Sequence, residues 1–155
     1  MNRFPHPLRV ELLGDRVTWR LLAPFSYIDP DHGPVTVPEG FETDLASVRP
    51  VRTLGAVLLL AGWLLMLWLP SLGGALVALG VAALLLYAAV VGYAQEPAAV
   101  HDWLYRTGHL PRRPADRVFL NAMRSRAVAR WRAWPMWAVV RACGAYRYRK
   151  NNRRV

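Results

Sequence analysis

Between Thr53 and Gln95 the chain has no charged residue, although it carries twenty Lys and Arg and ten Asp and Glu elsewhere. A water-facing element of that length places charge along its exposed side, so an ordinary soluble surface is excluded for this interval. Cysteine is nearly absent as well. Cys143 stands alone, which excludes an internal disulfide and fits a reducing compartment. Lysine is almost missing: nineteen of the twenty basic residues are Arg and Lys150 is the exception. That bias reads first as codon composition and second as a preference for phosphate. The amino-terminal stretch MNRFPHPLRVELL lacks an apolar core, so no cleavable signal peptide is expected. No H-E-x-x-H pair is present, so a strict zinc-protease motif is excluded.

What the chain has is a sharp segregation. Its 155 residues amount to one domain, too few for separate catalytic and binding domains. Residues 54–69 are continuously apolar, PSLGG follows at 70–74, and a second apolar run fills 75–94. A bilayer core of about 30 Å needs about 20 helical residues, so the second run spans easily and the first only if its helix starts near Val51 or Arg52. Pro70 and Gly73-Gly74 supply the expected turn. Trp63, Trp68, Tyr87 and Tyr93 are candidate interfacial anchors. Arg49 and Arg52 flank one end of the hairpin and a basic half of the chain follows the other, which places both termini on the cytoplasmic side of a bacterial inner membrane. The chain therefore reads as 1–52, a β-rich half of a soluble domain; 53–95, a transmembrane helical hairpin; 96–145, the helical half of the same domain; and 146–155, a basic tail.

Local patterns fill in the soluble part. Leu8, Val10 and Leu12 alternate with Arg9 and Glu11, and Val17, Trp19 and Leu21 with Arg16, Thr18 and Arg20, a hairpin turning at Gly14-Asp15. FSYI and VTV form a second strand pair around DPDHGP. After the apolar interval the period becomes helical: 97–107 closed by Gly108, a helix opened by Pro114 to about Ala127, and one over 136–143 between Pro135 and Gly144. The fold class is α+β, with a small antiparallel β amino-terminal half, a two-helix transmembrane hairpin and an α-helical carboxy-terminal half.

Two polar knots flank the apolar interval. In FETDLAS, Thr43, Asp44 and Ser47 suit helix capping, because their oxygens accept from backbone N–H groups two or three residues on. In HDWLY, His101, Asp102 and Tyr105 share one helix face. A carboxylate beside an imidazole is either a satisfied half-buried pair or the start of a metal site or general base. Asp116 lies on the inward stripe with Phe119, Leu120 and Met123, so it needs a partner, either the helix dipole or a polar cluster with His101 and Asp44. The Arg-rich carboxy-terminal half, with Trp131, Trp134, Trp137, Tyr146 and Tyr148 interleaved, suits anionic lipid headgroups more than nucleic acid.

VPEGFETDLASV, AAVHDWLY, RPADRVFLNAM and VVRACGAYRY together resemble a small phage- and prophage-associated family, domain of unknown function thirteen fifty-three. Its pattern G-F-x-T-D-x-A-S-x-P, H-D-x-L-Y, A-D-x-x-F falls on Gly40, Phe41, Thr43, Asp44, Ala46 and Ser47, then His101, Asp102, Leu104 and Tyr105, then Ala115, Asp116 and Phe119. The family proline is displaced here, with Arg49 before Pro50, and the charge-free hairpin replaces a short link. The resemblance implies that the fold gathers these polar residues into one cluster.

Two functions follow as expectations. The first in order is a non-enzymatic phage-type membrane component, an adaptor or an assembly or lysis protein, whose partners are the lipid bilayer, anionic headgroups and other phage or membrane proteins. The alternative is a membrane-anchored hydrolase in which His101, Asp102, Asp44 and Asp116 form the catalytic set, Thr43, Ser47 and Tyr105 assist binding, and Asp44, His101 and Asp116 hold a divalent metal, Zn or Mg.

Overall fold

A computed structural model describes residues 3–45 and 49–152 of the chain. It divides into two compact units, one of Met1–Ala46 with Tyr93–Val155 and the other of Ser47–Gly92.

In the first unit, strands β1 (Val10–Leu12) and β2 (Trp19–Leu21) pair antiparallel in the register Glu11↔Arg20. Asp15 closes their turn, its Oδ1 accepting from the N–H groups of Val17 and Thr18 at 2.9 and 2.8 Å. A short β5 (Glu42–Thr43) adds to the other side of β2, giving the order β1-β2-β5. Strands β3 (Phe25–Asp29) and β4 (Gly33–Val37) form a separate ribbon. Its alternation decides its packing: Phe25, Tyr27, Asp29, Val35 and Val37 are buried, while Ser26 and Thr36 face out and bond each other at 2.9 Å. Gly33 takes the left-handed φ of +76° that ends the three-residue loop.

Three helices complete this unit. Helix α3 (Gln95–Thr107) ends at Gly108, whose φ is +65° and whose N–H returns to Leu104 O at 3.1 Å. Helix α4 (Arg112–Ser125) packs Val118, Phe119, Ala122 and Met123 inward, and α5 (Arg130–Asn152) crosses both. The expected helix over 136–143 is thus the middle of a much longer one. Pro135 lies inside α5, where it removes one backbone hydrogen bond, and Gly144 does not stop the helix. Glycine there answers a packing need: a Cβ at Gly144 would stand 2.5 Å from the Tyr105 hydroxyl. The expected alternation on β1 and β2 is weaker than the pattern implied, since Leu12 and Val17 are exposed.

The second unit is a helical hairpin, α1 (Arg49–Met66) and α2 (Pro70–Val90). The turn comes earlier than the PSLGG expectation, at Leu67–Leu69, and Pro70 takes the first position of α2, where its missing N–H costs nothing. Gly73 lies within α2, and its hydrogen faces α1: a Cβ there would stand 2.5 Å from Met66 Cα. Gly62 similarly faces Val77 N at 2.7 Å and Gly80 faces Leu59 N at 2.8 Å. The helices therefore meet backbone to backbone, and their large side chains, among them Leu60, Trp63, Leu64, Leu79 and Leu85, point outward and are exposed. Among the described residues one helix, α2, is long and apolar enough to cross a membrane; the apolar part of α1, Val51–Met66, is shorter. The expected pair of membrane-length helices thus reduces to one, because the early turn takes residues 67–69 out of α1.

Candidate functional site

The polar centre of the first unit is Asp116, on the buried face of α4 and fully withdrawn from solvent. It lies beyond the first turn, where the helix dipole has faded, and its partners are side chains. His101 and Tyr105, one turn apart on α3, meet its Oδ1 at 3.1 and 2.5 Å. Arg141 of α5 donates to Oδ2 at 2.7 Å, and Arg112 Nε stands 3.8 Å from the same oxygen. Since a carboxylate only accepts, His101 Nε2 carries the proton of its bond. The imidazole ring also contacts Tyr105 and Phe119 in tilted geometry, at centroid distances of 4.1 and 5.0 Å, which restricts its orientation. Burial pushes the Asp116 carboxyl up, but hydrogen bonds from His101, Tyr105 and Arg141 outweigh it and hold the group below the usual carboxylate range. The Tyr105 phenol is pushed up, by burial first, by its hydrogen bond to Asp116 second and by the Asp116 charge third.

Asp102 and Asp44 belong to a neighbouring ion pair. Arg147 of α5 donates to Asp102 at 2.9 Å and lies 3.9 Å from Asp44, while Arg106 reaches Asp102 at 3.4 Å. The segment carrying Asp44 also meets α3 through Phe41, edge-on to Trp103 at 5.2 Å with the Arg106 guanidinium 5.0 Å over its ring. Thr43 is not a helix cap. It is buried in β5, opposite Trp19, and its hydroxyl accepts from Leu45 N–H at 3.2 Å, a local turn that bends the chain after the strand. Ser47, and with it the expectation of a cap or binding role there, lies outside the described residues.

The expected metal set is not assembled. Asp44, His101 and Asp116 do not bring their ligand atoms within 4.8 Å of one another; among the described residues the group that does is Asp29, Asp31 and His32. There the donors are already engaged. Asp29 Oδ1 accepts from the N–H groups of Asp31 and His32 and from the His32 ring at 3.0–3.1 Å, and the Asn121 amide bridges Asp29 and Asp31 at 3.2 Å each. This carboxyl too is lowered: burial raises it, but the His32, Asp31 and Asn121 hydrogen bonds prevail.

Sequence reasoning did not find Arg141, Arg147, Asp29 or Asn121. Asp29 had a legible signal, since it continues the inward stripe of Phe25 and Tyr27. The two arginines had none among nineteen.

The chain matches the family model described as "Protein of unknown function (DUF1353)" over residues 19–59 and 81–140. The chain belongs to this family. No curated protein and no solved structure gives a match. The matched runs of DUF1353 include Thr43, Asp44, His101, Asp102, Tyr105 and Asp116, and they stop one residue short of Arg141. They also extend into both helices of the hairpin and omit residues 60–80, a narrower gap than the 53–95 that charge alone delimits.

Proposed function

We propose that this DUF1353 protein is a non-enzymatic component of the bacterial cytoplasmic membrane, anchored by the α1–α2 hairpin with its α+β unit and both termini on the cytoplasmic side. What carries the anchoring is the hairpin's inverted construction: glycines face the partner helix, and leucines and tryptophans face outward. In water that arrangement exposes a large apolar surface, whereas in a bilayer small residues let helix backbones approach while bulky ones meet lipid. The shorter α1 is accommodated if Arg52 reaches up to the headgroups and the bilayer thins locally. The non-enzymatic reading rests on the engagement of Asp116, whose oxygens accept hydrogen bonds from His101, Tyr105 and Arg141, with the Arg112 guanidinium an ion-pair neighbour at 3.8 Å. A carboxylate so engaged ties α3, α4 and α5 together, and a metal or a substrate proton would have to compete with its three donors. The resemblance to phage-associated proteins favours an adaptor, assembly or lysis-associated role, with other membrane proteins and anionic headgroups as partners.

Extraction of membranes with alkaline carbonate tests the anchoring: the chain is expected in the pellet, and release into the supernatant overturns the reading. Elemental analysis of detergent-purified protein tests the second half. Stoichiometric Zn or Mg that disappears in a folded His101→Ala/Asp116→Ala variant would restore the hydrolase.

A further inference from the structure

A cavity of about 630 Å³ opens between α4 and α5, and Asp116 and His101 take no part in its lining. Its size lies within the range of small-ligand sites. Arg113, Arg117 and Arg124 reach it from α4, and Arg141 from α5. The three α4 positions are four and seven residues apart, which puts them on one stripe of the helix. Like charges in such a row repel, and among the described residues none of the three has an ion-pair partner. Arg141 already serves Asp116 through Nη1, and Asp31, the one carboxylate on the wall, is bonded to Asn121. On the α5 side, Trp137 also lines the cavity, and its indole N–H is withdrawn from solvent with no acceptor.

We propose that this cavity binds a phosphate-bearing ligand through Arg113, Arg117 and Arg124. Three aligned guanidiniums exceed what one carboxylate neutralises. A phosphate monoester brings up to two negative charges and three acceptor oxygens, and the planar guanidinium fork matches it in bidentate pairs. The inference concerns the first unit alone and stands whether or not the hairpin is in a membrane. The same chemistry is offered by a phospholipid headgroup and by a soluble phosphate.

The test follows tryptophan fluorescence of the full chain in detergent at constant ionic strength. One arm titrates inorganic phosphate, the other a short-chain phosphatidate below its micelle concentration, with short-chain phosphatidylcholine as reference. Saturable binding in either arm, weakened about tenfold or more by Arg117→Gln/Arg124→Gln and unchanged by Arg149→Gln, is expected. Phosphatidate binding at least about tenfold tighter than phosphate assigns a headgroup, and comparable or tighter phosphate assigns a soluble ligand. No saturation in either arm overturns the site, as does equal weakening by Arg149→Gln, which marks unspecific charge. Binding that requires an oligonucleotide, with affinity rising with its length, overturns it in favour of a nucleic-acid surface. Circular dichroism of the variants separates loss of ligand from loss of fold.

Discussion

Asp116 shows how one buried charge constrains three helices. Its carboxylate is fully withdrawn from the protein surface, so its stability comes from His101, Tyr105 and Arg141 together. Asp116→Asn leaves those donors facing a neutral amide and strands the partly buried Arg141, a loss of about 3 kcal/mol by denaturant unfolding. Asp44→Ala, by contrast, leaves the Asp116 cluster intact and loosens contacts that include the half-exposed Arg147 at 3.9 Å, so it is expected to cost clearly less than the Asp116 change. Comparable large losses at both positions would mean that Asp44 belongs to the Asp116 cluster after all. Acid follows the same chemistry. The Asp116 and Asp29 carboxyls are depressed in the folded chain. Their contribution is therefore present above the ordinary carboxylate value of about 4 and is lost as pH falls below it, where the unfolded chain binds the extra protons first. Unfolding followed by tryptophan fluorescence should steepen below about pH 4, and Asp116→Asn should flatten part of that slope.

Among the elements, the glycines decide how closely helices approach. Gly73 and Gly74 are neighbours in sequence with opposite surroundings: a Cβ at Gly73 strikes Met66 backbone at 2.5 Å, and one at Gly74 meets only Met66 Cε at 3.9 Å. Gly73→Leu is expected to force α1 and α2 apart and lower the temperature at which the detergent-solubilised chain loses monodispersity, while Gly74→Leu is tolerated. At Gly144 the obstacle is a side chain, the Tyr105 hydroxyl that bonds Asp116. Gly144→Ala must displace that phenol, so a destabilisation of about 1–3 kcal/mol is expected by denaturant unfolding, with an Asp116→Asn background reducing the increment because the bond is already weakened.

At the scale of the molecule, the hairpin is where water and lipid make opposite demands. Leu79 is exposed near the middle of α2. In a bilayer, Leu79→Lys puts an ammonium in hydrocarbon at a cost of about 2.5–3.5 kcal/mol on insertion scales. In water, the same change only improves solubility. A fall in the carbonate-resistant membrane fraction of this variant supports the bilayer reading, and an unchanged or better-behaved soluble protein defeats it.

Much of this organisation is written locally. The charge-free interval, the two strand pairs, the Gly108 stop and the inward stripe of Asp116 each depend on residues within a few positions of one another, so period and turn chemistry reveal them. The meeting of His101 with Asp116 was one of the two partnerships the sequence left open for that inward carboxylate, while Asp44, expected in the same cluster, lies beside Arg147 instead. What pairs with what across the unit was decided by tertiary structure. Arg141 reaches Asp116 through the packing of α5 on α3 and α4, and Arg147 reaches Asp102 and Asp44 because α5 runs on past Gly144, a residue that locally argues for an end. The early turn at Leu67–Leu69 goes with the close approach of the two helices directly beside it, where Gly73 meets Met66. Choice of partner among nineteen arginines has no period, and only the packing of whole helices, which buries Asp116 and leaves it one set of neighbours, makes that choice.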